Sequence, residues 1–93
     1  MQRSHLLGAY LFRRCTETSD FNTMTDYGIY MIGTIGLKSN SPSGLGNGNH
    51  GFMINYTWSS GRIIQVLFVG YGGYMIYMRH YVSNSWDSWT KVV

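Results

Sequence analysis

The sequence predicts an all-β, mainly antiparallel fold, a small β-sandwich or β-meander knob. Short segments rich in Tyr, Ile and Val recur along the chain, separated by clusters of Gly, Ser and Asn. The connections between the last four segments span only three or four residues, which suits antiparallel neighbours and leaves no room for a crossover helix. With 93 residues, the chain forms one such domain at most.

The first predicted strand of this fold is residues 27–36, which are rich in Tyr and Ile with Gly at both ends. Before it, residues 19–25 suit a single helical turn that Asp20 caps. After it, residues 37–51 contain four glycines and Pro42, a density of turn formers that no regular element tolerates. This long loop is a candidate functional segment.

The second and third predicted strands form a hairpin around residues 59–61. Residues 52–58 alternate, and their apolar set faces one way: Phe52, Ile54, Tyr56 and Trp58. Residues 62–69 are apolar on both faces, which predicts a central strand covered on each side. Residues 74–82 and 86–93 complete the sheet as a further strand and a short last one.

Charge is scarce, since only 12% of the residues are charged, and its distribution argues against nucleic acid as a partner. The net charge of +3 comes from three arginines in the first 14 residues, and residues 15–93 carry four basic and four acidic side chains. The neutral part lacks the electrostatic attraction that nucleic acid requires. We expect residues 1–19 to be a leader or a link to a preceding shaft and residues 20–93 to be the domain, although residues 1–18 could instead supply an ordinary first strand of the same domain.

The aromatic content predicts self-association. The chain contains 8 Tyr, 4 Phe and 3 Trp, and a domain of this size cannot cover both faces of an apolar central strand. Large exposed apolar patches usually mark interfaces, so we expect a homo-oligomer. No run of about 20 apolar residues is present, and membrane insertion is not expected.

Catalytic and metal-binding patterns are nearly absent from the sequence. Asp20 with Asp26 is the best carboxylate pair for glycoside hydrolysis, but turn and capping roles suit both residues better. Cys15 is the only cysteine, so no disulfide forms within the chain. The three histidines are scattered singly, and neither a metal nor a cofactor is expected. We therefore predict a protein that is not an enzyme.

Aromatic and amide side chains on a β scaffold suit sugar ligands. Tyr and Trp present flat apolar faces with a hydrogen-bonding tip, and loops rich in Asn, Ser and Gly add adaptable hydrogen bonds. The candidate ligand-binding residues are Asn47, Asn49, His50, Tyr71, Tyr74, Tyr77 and Tyr81. For each tyrosine, core or subunit packing is the alternative role.

Several short motifs follow one another in a distinctive order. Residues 20–23 (DFNT) precede a Gly-Ile-Tyr strand at 28–30, and residues 40–44 (NSPSG) form an Asn-x-Pro-x-Gly loop. A Gly-led strand begins at 51, an apolar strand contains Gln65, and an aromatic residue and Met precede Arg79. The chain closes with residues 86–92 (WDSWTKV), a Trp-x-x-Trp motif followed by a basic residue and an apolar end.

This order resembles the knob domain at the C-termini of phage tail fibres and R-type pyocin fibres, over residues 20–93. The resemblance implies a homotrimeric fibre tip that recognises bacterial surface polysaccharide, either lipopolysaccharide or wall polysaccharide, during host attachment. It also implies location on a virion tail or an extracellular tail-like particle made in the bacterial cytoplasm. The alternatives are a trimerisation or folding domain without a ligand and, less favoured, a small glycan-degrading enzyme.

Four residues are expected to have structural or interface roles. On a straight strand, Trp86 and Trp89 face opposite sides, so one fills the core and the other packs on a neighbouring subunit. Gln65 lies on an apolar strand and needs a partner, either loop backbone or its own symmetry copies. Arg79 is expected to pair with Asp87 across a hairpin.

Overall fold

The computed structural model of the protein describes residues 12–14 and 19–93, and these form mainly antiparallel β structure, as predicted. The strands are β1 (Phe12–Arg14), β2 (Gly28–Ile32), β3 (Gly51–Ser59), β4 (Arg62–Val69), β5 (Met75–Val82), β6 (Ser85–Trp86) and β7 (Thr90–Lys91). Two single-turn 3₁₀ helices span Phe21–Thr23 and Ile35–Leu37, and the described residues include no α-helix. The predicted turn capped by Asp20 is confirmed by the first of these.

All seven strands belong to one sheet with the order β1-β2-β3-β4-β5-β6, and β7 pairs with β5 beside β6. Each strand from β2 to β5 is antiparallel to the next. Strand β1 is parallel to β2, a pairing that the sequence does not reveal. The division between residues 19 and 20 stays a prediction. The expected last strand, residues 86–93, is instead split into the two-residue strands β6 and β7.

One face of the sheet, the inner face, carries the core. Residues from β2 to β5 meet side chains from residues 19–25 and 33–46, which lie over this face only. The buried cluster is Phe21, Met24, Tyr30, Ile32, Ile35, Met53, Leu67, Val69 and Tyr77. Phe21 and Ile35 are fully buried, so the two 3₁₀ turns act as the second layer over the sheet.

The opposite face, the outer face, is left open in the single chain. It consists of Ile29 and Met31 of β2, Phe52, Ile54, Tyr56 and Trp58 of β3, Ile64, Val66 and Phe68 of β4, and Ile76 and Met78 of β5. The expectation that β4 is covered on each side is therefore wrong for one chain, because no described segment crosses this face. The side of β3 that carries Phe52, Tyr56 and Trp58 points outward, whereas the side chains of Met53 and Asn55 on the other side are buried.

A row of three polar side chains crosses the middle of the inner face. Asn55, Gln65 and Arg79 are direct neighbours on β3, β4 and β5, and all three are buried. Gln65 Nε2 donates to the carbonyl oxygens of Phe21 (2.9 Å) and Met24 (3.0 Å). Asn55 Nδ2 donates to the same Met24 oxygen. The partner of Gln65 is thus loop backbone, one of the two expected possibilities, and the row holds the first 3₁₀ turn on the sheet.

Two local features fix the strand pairing. Ser83 and Asn84 have positive φ values of 57° and 65°, as a two-residue hairpin with the right-handed strand twist requires. Gly51 lies so close to β4 that a Cβ atom would stand 1.8 Å from the Phe68 carbonyl oxygen. Any larger residue at this position pushes β3 and β4 apart.

We expect Gln65→Leu to lower the free energy of unfolding by about 2–4 kcal/mol, because it leaves buried Arg79 Nε without its partner and removes one of the two hydrogen bonds that the Phe21 carbonyl accepts. Chemical denaturation measures this change. Asn47→Ala, at an exposed position of the long loop, is the control and should stay within about 0.5 kcal/mol. Equal stabilities of the two variants would contradict the structural role of the polar row.

Candidate functional site

The arginine of the polar row, Arg79, lies between two indole rings. Its guanidinium carbon stands 4.0 Å from the ring centroid of Trp86 and 4.6 Å from that of Trp89. Its Nε donates to Gln65 Oε1 at 2.8 Å. Only 6% of the residue is exposed. Burial lowers the pKa of Arg79 to about 10, against the opposite effect of Asp20 and Asp87, so the group stays protonated at neutral pH.

The expectation that Trp86 and Trp89 face opposite sides is wrong. It assumes a straight strand, but β6 ends at Trp86 and regular structure resumes only at β7. The chain between them turns so that both rings pack on Arg79. Trp89 also meets Phe21 edge-on at 5.5 Å, and its Nε1 donates to the Asn40 carbonyl oxygen at 2.8 Å. Trp89 therefore connects the core, through Phe21, to the loop that contains Asn40.

The expected ion pair between Arg79 and Asp87 is not formed. Asp87 instead accepts a hydrogen bond from the His80 backbone N–H at 2.8 Å, and its other oxygen lies 2.5 Å from His80 Nδ1. Neighbouring residues of a strand point to opposite faces, so Arg79 points inward while His80 points outward. The cation between the tryptophans is consequently held by rings and by an amide, and no carboxylate bonds it directly.

Beside this cation lies a polar groove made of two cavities that share Asn22 and Trp86. The larger cavity has a volume of about 490 Å³ and is lined by Asn22, Asn40, Ser41, Ser43, Arg79, Trp86, Asp87, Ser88 and Trp89. The smaller has a volume of about 400 Å³ and is lined by Asn22, Thr25, Asp26, Thr57, Ser60, Ile63, Tyr81 and Trp86. Together they offer amide and hydroxyl groups next to indole faces.

Two groove residues carry buried polar atoms without a partner. Arg79 Nη2 is a donor and Asn22 Oδ1 is an acceptor, and neither makes a hydrogen bond within the described structure. Buried polar groups are usually satisfied, and exceptions often mark sites where a ligand or water completes the set. A ligand that both donates and accepts hydrogen bonds would satisfy both atoms.

The first 3₁₀ turn and the Asn40 loop are fixed in place by Asp20. Its Oδ1 accepts from the Asn22 backbone N–H and from Asn40 Nδ2, both at 2.8 Å. This carboxylate thus links the two segments, around Asn22 and Asn40, that line the groove. The hydrogen bonds give Asp20 a structural role, as the capping interpretation of the sequence expects.

The sequence-predicted ligand residues are dispersed rather than gathered at the groove. Tyr81 lines the smaller cavity. Tyr77 is buried in the core, with its hydroxyl 3.6 Å from Met75 Sδ. The others lie towards the opposite end of the sheet, where Tyr71 and Tyr74 are 70% and 87% exposed. Asn47 is exposed on the long loop there.

Asn49 and His50 have structural contacts at that opposite end. Asn49 Oδ1 accepts from the Gly46 backbone N–H at 2.7 Å, and its Nδ2 donates to the Tyr71 carbonyl oxygen at 2.8 Å. His50 Nδ1 accepts from the Thr34 backbone N–H at 3.1 Å. Tyr71, Tyr74 and His50 border a cavity of about 540 Å³ whose lining is mostly apolar, which suits packing better than sugar hydroxyls.

Sequence reasoning missed five of the nine residues that line the larger cavity, namely Asn22, Asn40, Ser41, Ser43 and Ser88. They come from three separate segments, and only the fold brings them together. The sequence does carry one indication of the groove, which is the position of Arg79 on an apolar strand shortly before the Trp-x-x-Trp motif.

Comparisons with known proteins add no assignment: no family model, curated protein or solved structure matches this chain. Within residues 12–14 and 19–93, no three His, Cys, Asp or Glu side chains form a group that could hold a metal ion. In the same part of the chain, no helix has the length and apolar character needed to cross a membrane.

We expect Arg79→Lys to lower the free energy of unfolding by about 1–3 kcal/mol, because an ammonium cannot spread between two rings and bond Gln65 at once. Arg62→Lys is the matched control, since Arg62 is exposed and lies over the single ring of Trp58 at 5.5 Å. Denaturant titration of both variants measures the difference. If Arg79→Lys proves as stable as Arg62→Lys, the two-ring contact contributes nothing to stability.

Proposed function

We propose that this chain is the receptor-binding tip of a phage or phage-like tail fibre and that it binds bacterial surface polysaccharide in the polar groove. The observation that carries the proposal is the pairing, in one groove, of two half-buried indole rings with an unsatisfied donor and an unsatisfied acceptor. A sugar ring has apolar C–H faces that stack on indoles and hydroxyls that both donate and accept.

The charges around the groove favour a neutral saccharide. Arg79 carries one positive charge at the floor, and Asp20 and Asp87 are close enough to act on it. These opposite charges leave little net attraction for an anion. A hydroxyl accepting from Arg79 and another donating to Asn22 Oδ1 therefore suits the site better than a phosphate or a carboxylate.

The order of sequence motifs supports the fibre setting of the proposal. The Trp-x-x-Trp motif and residues 40–44, which carry the resemblance to fibre knobs, form two walls of the groove. In this proposal the sheet is the meander of a knob, the assembly is a homotrimer, and the protein acts on a virion tail or an extracellular tail-like particle. Three copies present three grooves, and avidity amplifies weak single-site binding.

A trimerisation or folding domain without a ligand is the second candidate function. The open apolar outer face favours it, because that face offers an assembly surface independent of the groove. One tip can both assemble and bind glycan. Glycan binding supports the receptor-binding role, and assembly without any glycan binding supports the ligand-free role.

The direct test is binding of purified host surface polysaccharide, and of short fragments of it, to the native chain and to Asn22→Ala. The substitution removes the unpaired acceptor while the backbone N–H that Asp20 caps remains. We expect binding to weaken about five- to tenfold, as loss of one hydrogen bond of ~1 kcal/mol predicts. Calorimetry with the short fragments gives the single-site value.

Asn47→Ala is the matched control, since Asn47 is an exposed amide on the long loop towards the other end of the sheet. Its binding should equal that of the native chain. The reverse pattern, with Asn47→Ala weakened and Asn22→Ala unchanged, would move the site to the long loop. Absence of binding to every host glycan tested would favour the ligand-free assembly domain, and shortened polysaccharide after incubation would indicate an enzyme.

A further inference from the structure

The outer face is an apolar surface without a partner. Its residues form continuous cross-strand rows, such as Met31, Phe52, Phe68 and Ile76, which are direct neighbours on β2 to β5. Phe52 and Phe68 stack at 4.8 Å between ring centroids. An apolar sheet face of this kind resembles the inner face of a two-sheet core that lacks its second sheet.

The exposure of this face is large for a small chain. Met31, Phe52, Ile54, Tyr56, Ile64 and Met78 are between 38% and 52% exposed, and Trp58 at the edge is 69% exposed. Since a large side chain presents about 150–250 Å², these residues leave roughly 600 Å² of apolar area open, close to the ~800 Å² that each partner contributes to a standard interface. The area suits a protein–protein interface.

The distribution of charged groups around the outer face indicates what kind of partner fits it. On β3, β4 and β5 the side chains at its centre are uncharged. Arg62, Asp87 and the titratable His80 lie towards one end of these strands, and Arg14 of β1 is in register with Met31 at the edge of the face. The centre therefore offers no charged group to pair with a basic or acidic partner or with anionic lipid headgroups. A second uncharged apolar sheet face complements it, and the chain's own copies carry one.

We propose that the outer face is the surface through which copies of this chain pack against one another. The mostly apolar cavity beside Phe52, Phe68 and Ile76 continues this surface towards Tyr71 and Tyr74 and gives an incoming copy a recess to fill. The inference rests on the multi-copy assembly in the proposed function and does not depend on glycan binding. It leaves the polar groove, which is built on the inner face, open in the assembly.

The test compares solution mass by light scattering for the native chain, Ile54→Lys and Asn47→Lys. Ile54 lies in the centre of the outer face, and Asn47 is an exposed loop position that controls for the added charge. We expect an assembled native chain, an equally assembled Asn47→Lys, and an Ile54→Lys variant whose dissociation constant is about 100-fold higher or more, because its charge is buried unpaired. A native chain that is monomeric at ~100 µM, or an Ile54→Lys variant that assembles normally, would overturn the proposal.

A second measurement uses only the native chain, in case Ile54→Lys does not fold. Met31 and Met78 are exposed on the outer face, whereas Met24 and Met53 are buried in the core. Peroxide should oxidise Met31 and Met78 several-fold more slowly at high protein concentration than after dilution, as mass spectrometry of peptides reports. Oxidation rates that do not depend on concentration would contradict the proposal.

The two proposals can fail separately. If Ile54→Lys is a folded monomer that binds a short glycan fragment with native single-site affinity, both stand. If assembly follows the expected pattern but no glycan binds, the interface holds and the receptor-binding function fails.

Discussion

The structure depends on the hydrogen bonds of one buried side chain, Gln65. Its amide donates to loop carbonyls on one side and accepts from Arg79 Nε on the other. A buried amide in an apolar strand is costly unless it is fully bonded, so this contact determines which face of the sheet the loop can cover. The covering loop then supplies Asn22, and Arg79 is aimed between Trp86 and Trp89. The positions of the covering loop and of the groove residues thus depend on the hydrogen bonds of the Gln65 amide.

The same constraint explains why the two faces of the sheet have different roles. The polar row commits the inner face to the loop, and it leaves the outer face with mostly apolar side chains and no described segment to cover it. In this account assembly uses the outer face and ligand binding uses the groove beside the inner face. The proposed fibre tip would use both surfaces at once, and the two do not overlap.

Much of the fold could be predicted from the sequence, because strand residues and turn formers are cleanly separated along the chain. The limits of β4 are one example, and the turn between residues 82 and 86 is another, although Ser85 already belongs to β6. The orientation of β3 could not be predicted. The alternation shows that the strand has two different faces, and the apolar side chains on the Phe52 side suggest that this side is buried. Only the structure shows that Asn55, on the other side, bonds the Met24 carbonyl oxygen in the core. The groove could not be predicted either. Its walls come from distant segments, and the contact of Trp86 and Trp89 with Arg79 depends on a break in the strand.

The most direct measurement of the central claim follows the three tryptophan indole N–H signals by NMR during titration with fragments of host surface polysaccharide. The account predicts that the signals of Trp86 and Trp89, which flank Arg79, shift together as the groove fills. The signal of Trp58, on the outer face, stays in place. Movement of Trp58 alone, or saturable binding with all three signals unchanged, would contradict a glycan site at the Arg79 groove.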